Sequence, residues 1–269
     1  MQKLAPRLLM AARDPRAGLG RGLQGITASN SNTRISASRL NATPAKPAAQ
    51  SPSPEASAQN YERKRAAMVN RLYQQGIEDE RVLSAMQVVP RHVFVDEALS
   101  SRAYDDAALP IGHGQTISQP WVVARMIAAV CEQGTPKKVL EVGTGCGYQA
   151  AVMGQVFEQV HSVERIRALH DMAKEHLRNL RMSNVRLTFG DGMTGLTSAA
   201  PFDAILVAAA GIRIPQALQQ QLAIGGVLIA PEGTHAQRLV KIQRTGPESW
   251  DRFELESVRF VPLKAGLQN

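Results

Sequence analysis

Glu141, Glu164 and Asp191 each close a short strand-like run, and the first stands two residues before three glycines at alternate positions, Gly143, Gly145 and Gly147. Glycines at that spacing let a turn reach positive φ and leave no Cβ between backbone and ligand. The run Lys138-Val139-Leu140 suits a buried strand, and residues 149–157 after the glycines suit a helix. Strand, glycine turn and helix bring a nucleotide-like ligand against the free N–H groups of a helix start. A dinucleotide site uses the spacing G-x-G-x-x-G, whereas this chain has G-x-G-x-G preceded by a carboxylate that would repel a pyrophosphate. An acid in that place suits an ammonium or sulfonium group, and S-adenosylmethionine carries both. The spacing therefore favours S-adenosylmethionine over NAD. Glu164 is placed to accept hydrogen bonds from ribose hydroxyls, as the acid about 20 residues downstream does in NAD sites. Asp191 is placed to bond an adenine amino group.

A second candidate stretch precedes the glycine turn, Gln115-Thr116-Ile117-Ser118-Gln119-Pro120, entered through Gly112 and Gly114 in a tight, exposed loop. Ser118 with Pro120 just after it reads as a helix N-cap followed by a first-turn proline. A serine hydroxyl beside unpaired N–H groups at a helix start also makes a cradle for a carboxylate. Cys146 lies inside the glycine turn, where smallness alone accounts for it.

The elements needed to position these residues follow in order. Residues 61–75 have helical apolar spacing (Met68, Leu72) with Gly76 as a stop, and residues 79–89 form a second helix ended by Pro90. Then strands at 138–142, 160–164, 185–189, 203–207 and 226–230 alternate with helices at 149–157, 166–180 and 215–222. Such alternation predicts an α/β fold, a Rossmann-like, doubly wound, mostly parallel sheet with helices on both faces. Residues 238–243 and 253–261 alternate in the manner of antiparallel strands at the C-terminal end.

Composition sets the frame. The chain has 269 residues, 44% of them hydrophobic, enough for a sizeable core without metal or disulfide staples. Its two cysteines, Cys131 and Cys146, read as reduced thiols of a cytoplasmic protein. The six histidines show no H-x-x-x-H or Cys/His cluster, so no metal is expected. Residues 1–60 lack aromatics and hold eight basic side chains against Asp14 and Glu55, six of the formal net charge of +8. They are expected to be a disordered basic extension, since Ala, Ser, Pro and Arg cannot bury enough apolar surface to offset ordering entropy. An organellar transit peptide, a plain basic tail and an over-long start all fit this segment. Residues 61–269 are left nearly balanced at +2, which gives no support for a nucleic-acid groove. No run is long and apolar enough for a membrane span.

Taken together, these residues resemble the protein-L-isoaspartate O-methyltransferase family. The resemblance runs from about Met68 to Gly266 and is carried by Val89-Pro90-Arg91, Thr116-Ile117-Ser118-Gln119-Pro120, the turn from Glu141 to Tyr148, Ser162-Val163-Glu164-Arg165, Gly190-Asp191-Gly192, Pro201-Phe202-Asp203-Ala204 and Arg259-Phe260-Val261-Pro262-Leu263. The Thr116–Pro120 segment with Val261-Pro262-Leu263 is the specific part, because many methyltransferases share the glycine turn. The resemblance implies methyl transfer from S-adenosylmethionine to the free carboxylate of L-isoaspartyl and D-aspartyl residues in damaged proteins, starting repair through a succinimide. It implies that Ser118 is the active-site serine and that Gln115, Thr116 and Ile117 line the cofactor. Glu141, Gly143, Gly145 and Gly147 would hold the methionine part, Glu164 the ribose, and Asp191 with Gly192 the adenine side. Val261-Pro262-Leu263 would wall the substrate peptide. The expected partners are isoaspartyl proteins and peptides, with no nucleic acid and no membrane, and the expected state is a cytoplasmic monomer. One departure is Cys146, where the family more often has serine.

Overall fold

The computed structural model describes residues 54–269. The first 53 residues of the expected basic extension lie outside them. Its last seven, 54–60, belong instead to a helix, α1 (Pro54–Gln74). Proline is tolerated in a first turn and Glu55 complements the helix dipole there, so the helix starts earlier than its apolar face, which begins at Tyr61.

Next come α2 (Glu80–Val88), two short 3-10 turns, and an antiparallel hairpin of β1 (Leu109–Gly112) and β2 (Gln115–Ile117). The chain continues through α3 (Pro120–Cys131), β3 (Lys138–Val142), α4 (Tyr148–Val156), β4 (Gln159–Glu164), α5 (Arg167–Asn179) and β5 (Val185–Phe189). It then forms β6 (Phe202–Val207), α6 (Gln216–Gln220), β7 (Leu222–Gly233), β8 (Gln237–Gly246) and β9 (Ser249–Val258). Strands β3 to β9 make one sheet in the order β5-β4-β3-β6-β7-β8-β9. Its first five strands pair in parallel and the last two are antiparallel, as the sequence pattern predicts.

Successive strand residues point to opposite faces, and the core divides accordingly. Val139, Ala204 and Leu206 join the helices α1 to α5 in one cluster, while Leu140, Ile205 and Val207 meet Leu218 of α6 in the other. Burying both faces explains why β3 and β6 read as nearly continuous apolar runs.

Around the hairpin, two expectations change. The loop around Gly112 and Gly114 is a β-hairpin, with Gly112, His113 and Gly114 all at positive φ (86°, 53° and 68°) in its turn. The N-cap of α3 is Gln119, not Ser118, and no side chain caps it. Proline disfavours helical geometry in the residue before it, so Pro120 begins the helix and the extended Gln119 becomes the cap. The Ser118 hydroxyl is left uncommitted to capping.

Arg91 fixes the segment leading into the hairpin. It is fully buried, its Nε donates to the Ala103 carbonyl (2.7 Å), and its guanidinium lies 4.7 Å from the centre of the Tyr148 ring. Arg91→Met keeps the stem but orphans that carbonyl. The expected loss is about 1–3 kcal/mol, measured as a lower urea midpoint at unchanged m.

Candidate active site

Strands β3 and β6 are neighbours, yet the chain leaves them toward opposite edges of the sheet. Ligands of doubly wound sheets bind at such a switch point, outside the carboxyl ends of the strands. Here Val142 and Gly143 at the end of β3, and Ala208 and Ala209 after β6, border a cleft. Val163 and Glu164 of β4, Gly192 beyond β5 and the Val261-Pro262-Leu263-Lys264 segment complete its walls. The glycine turn runs beside it with Gly143, Gly145 and Gly147 at φ of 94°, 55° and 90°. Gly147 caps α4 in the left-handed conformation. Gly192 is needed for another reason: a Cβ there would stand 2.4 Å from Val142 Cγ1.

Glu164 is the acid that borders this cleft. Its Oε2 accepts from the Gly145 N–H and its Oε1 from the Ile166 N–H, both at 2.9 Å, and the residue is 5% exposed. Each carboxylate oxygen has capacity for a further donor, so Glu164 both pins the glycine turn and offers acceptors to a ligand. Glu164→Gln puts an amide NH2 against one of those two N–H donors. Affinity for S-adenosylmethionine is expected to fall about tenfold, as read by calorimetric titration.

Glu141 and Asp191 are placed differently. Glu141 is fully buried behind the turn and does not line the cleft. Parallel register sets Glu141 opposite Ser162, whose hydroxyl donates to Oε2, and Thr144 Oγ1 extends the same chain. Its Oε1 has no hydrogen-bond partner. Burial pushes the Glu141 carboxyl up to about 8; the Ser162 hydroxyl opposes this and the Glu164 charge adds to it. Asp191 accepts from the Met193 N–H (2.8 Å) and the Gly266 N–H (2.7 Å), so both oxygens already hold backbone. It ties the C-terminal segment down beside the cleft, and its neighbour Gly192 lines the cleft.

The hairpin supplies the remaining residues. Gln115 and Thr116 border the cleft, whereas Ile117 is 4% exposed and packs in the core. Half-buried Ser118 lies in an adjoining cavity with Gln119, Trp121 and Val122 on one side and the stretch from Ser257 to Val261 on the other. Thr116, Ala208 and Val261 border both spaces. Sequence reasoning missed Ala208 and Ala209, although their place just after the fourth parallel strand marks them under the switch-point rule. It also missed Trp121, which carries no local signal, and the bond of Ser162 to Glu141, which depends on the register between β3 and β4.

Two held acceptors on Glu164, a close-approach glycine and an orphaned carboxylate oxygen behind the glycine turn fit a cationic, nucleoside-bearing ligand. Fold and site together define a class, the Rossmann-like methyltransferases that use S-adenosylmethionine. Comparison with known proteins narrows the class. The family model "Protein-L-isoaspartate(D-aspartate) O-methyltransferase" matches residues 63–268. The chain is 65% identical over 260 residues to the protein-L-isoaspartate O-methyltransferase of Bordetella parapertussis, covering 95% of this chain and 98% of that protein. It is 56% identical over 209 residues to the protein of the same name from Burkholderia ambifaria, covering 77% and 67%. A Plasmodium falciparum crystal structure given the same enzyme name, in complex with S-adenosyl-L-homocysteine, superposes with a TM-score of 0.65 at 26% identity over 74% of this chain and 98% of that one. The chain belongs to the protein-L-isoaspartate(D-aspartate) O-methyltransferase family, and it is a protein carboxyl methyltransferase dependent on S-adenosylmethionine.

Proposed function

We propose that the protein methylates the free carboxylate of L-isoaspartyl residues, and of D-aspartyl residues, in damaged proteins and peptides. The observation that carries this reading is the shared wall: Thr116, Ala208 and Val261 border both the cofactor cleft and the cavity of Ser118. A methyl group carried in one space can meet a carboxylate held in the other. S-adenosylmethionine, when bound, supplies that methyl on a sulfonium centre.

This chemistry asks little acid–base work of the protein. A free isoaspartyl carboxyl titrates near ~4 and is an anion at neutral pH. One carboxylate oxygen takes the methyl, the C–S bonding pair stays on sulfur, and no proton moves. The residues lining the second cavity include no histidine and no acid, in keeping with a reaction that needs no general base. The protein must align and dehydrate, and alignment alone can supply several of the ~7–11 kcal/mol reached in intramolecular models. In this reading Ser118 orients the carboxylate, Gln115 and Thr116 line the cofactor, and Glu164 holds the ribose. The glycine turn with Glu141 behind it surrounds the methionine end, and Gly192 approaches the adenine, held in place by Asp191. Val261, Pro262 and Leu263 separate cofactor from peptide. The neutral ester then closes to a succinimide, which reopens in part to normal aspartate.

We infer further that residues 61–269 form the catalytic domain, that it acts as a cytoplasmic monomer, and that its partners are proteins rather than nucleic acid or membrane. Support comes from the buried free thiols, the near balance of charge after residue 60, and the lack of any described helix long and apolar enough to cross a membrane. The test compares methyl transfer from S-adenosylmethionine to an isoaspartyl peptide, its normal aspartyl twin and bulk RNA. Transfer to the isoaspartyl peptide alone is expected. Equal transfer to the aspartyl twin, or transfer to RNA, overturns the reading.

A further inference from the structure

The cavity that holds Ser118 has one charged residue on its wall, Arg259; the other polar members are Thr116, Ser118, Gln119 and Ser257. Arg259 follows β9 directly, and it differs from every arginine of β8 and β9. Arg238 pairs with Glu254 (3.2 Å), Arg252 pairs with Glu232 (2.9 Å), and Arg244 donates to the carbonyls of Gln220 and Leu222 (3.0 and 2.6 Å). On α3, Arg125 pairs with Glu256 of β9 (2.7 Å). Among the described residues, Arg259 has neither an acid nor a carbonyl to hold its side chain, and it is exposed.

The second cavity thus has a cation and no acid on its wall, whereas the cofactor cleft carries the carboxylate of Glu164 together with Arg165 and Lys264. The proposal rests on the function read above, and its chemistry is specific. The substrate carboxylate carries one negative charge, and the methyl ester formed from it carries none. A guanidinium at the wall attracts the first and is indifferent to the second.

We propose that Arg259 is a specificity-determining residue of the second cavity: it draws the anionic carboxylate in before transfer and loses its hold once the carboxyl is a neutral ester. Ser118 sets the orientation of the carboxylate by a directional hydrogen bond, and Arg259 sets which charge state stays. Loss of the attraction at the moment of transfer lets the ester leave before a second substrate arrives. Because the guanidinium is solvated, the effect is screened by salt and modest in size.

The test measures binding of two peptides of one sequence, with S-adenosyl-L-homocysteine present throughout. One carries the isoaspartyl residue with its free carboxylate, the other the same residue as its uncharged carboxamide. The wild type is expected to prefer the carboxylate, and the preference shrinks from 50 to 500 mM salt as attraction between exposed charges is screened over ~13 Å to ~4 Å. Arg259→Gln is expected to weaken carboxylate binding about three- to tenfold and leave carboxamide binding within about twofold. Arg259→Lys keeps the charge and retains most of the preference. Equal weakening of both peptides makes Arg259 a mere wall residue and overturns the proposal, as does no change in either. Thermal midpoints and S-adenosylmethionine titrations of each variant show that the fold and the cofactor cleft are intact. If the wild type fails to methylate the isoaspartyl peptide, the functional reading falls; if it methylates normally and Arg259→Gln binds as wild type, only this inference falls.

Discussion

Ser118→Ala is expected to lower turnover on an isoaspartyl peptide about ten- to hundredfold, since a hydrogen bond to a charged group contributes about 1.5–3 kcal/mol. Affinity for S-adenosylmethionine should change less than about twofold. The split follows from the geometry. Ser118 lies in the second cavity and does not border the cofactor cleft, and it does not cap α3. Its removal therefore deprives the carboxylate of an orienting donor without disturbing Glu164 or the glycine turn. Thr116 makes the natural control, because it borders both spaces. A change such as Thr116→Val should alter cofactor affinity and turnover together. Steady-state methyl transfer and calorimetric titration on the same preparations give the comparison. Equal losses of turnover and cofactor affinity in Ser118→Ala would show that the serine belongs to the cofactor cleft after all.

Much of this arrangement can be read from residues alone, for reasons the structure makes plain. The strands 138–142 and 185–189 coincide with observed elements because both are bounded by sharp signals, a charged residue or a glycine at the ends of a β-branched run. The helix expected at 79–89 is found as Glu80–Val88, with Asp79 as its cap accepting from the Arg81 and Val82 N–H groups. Shorter or interrupted elements are harder. The hairpin strands have four and three residues, too few to show a period of two. Strand β7 spans Leu222–Gly233, well beyond the expected 226–230, because Gly225 and Gly226 resemble a boundary but sit where the pairing with β6 shifts register. The last strand ends at Val258 instead of 261, and the chain from Arg259 onward becomes the wall of both cavities.

The three acids show the limit of spacing most clearly. Each lies at or just past the end of a strand, but only Glu164 borders the cleft. Glu141 pairs in register with Ser162, so Glu164 lies one full pleat further along the same face, beyond the end of β3. Which of two strand-end acids reaches the ligand depends on the stagger between neighbouring strands, and no local pattern encodes that. Asp191 extends past β5 into a loop, where the backbone N–H groups of Met193 and Gly266 take up its oxygens. A tertiary partner 75 residues away is invisible to local reasoning.

Glu141 should also make stability fall as the pH rises. Its carboxyl, ordinarily near 4.5, is pushed up to about 8 by burial in the folded protein. Between those values the folded chain keeps a proton that the unfolded chain has released, and stability then decreases with pH by up to about 1.4 kcal/mol per unit. Below 4.5 and above 8 the contribution is flat. Glu141→Gln cannot ionise and keeps an amide oxygen for the Ser162 hydroxyl. Relative to the wild type it should gain on the order of 3–5 kcal/mol between pH 4.5 and pH 8.5, as read from urea unfolding across that range. A cationic ligand beyond the glycine turn favours the ionised carboxylate, so binding of S-adenosylmethionine should release a proton from the wild type near pH 7 and tighten toward pH 8. Measuring both proteins removes the titration of the ligand's own amino group from the comparison. Identical pH dependence of binding in wild type and Glu141→Gln would confine Glu141 to the core. A difference that grows from pH 6 to pH 8 would show the buried acid acting on the cofactor through the glycine turn, without touching it.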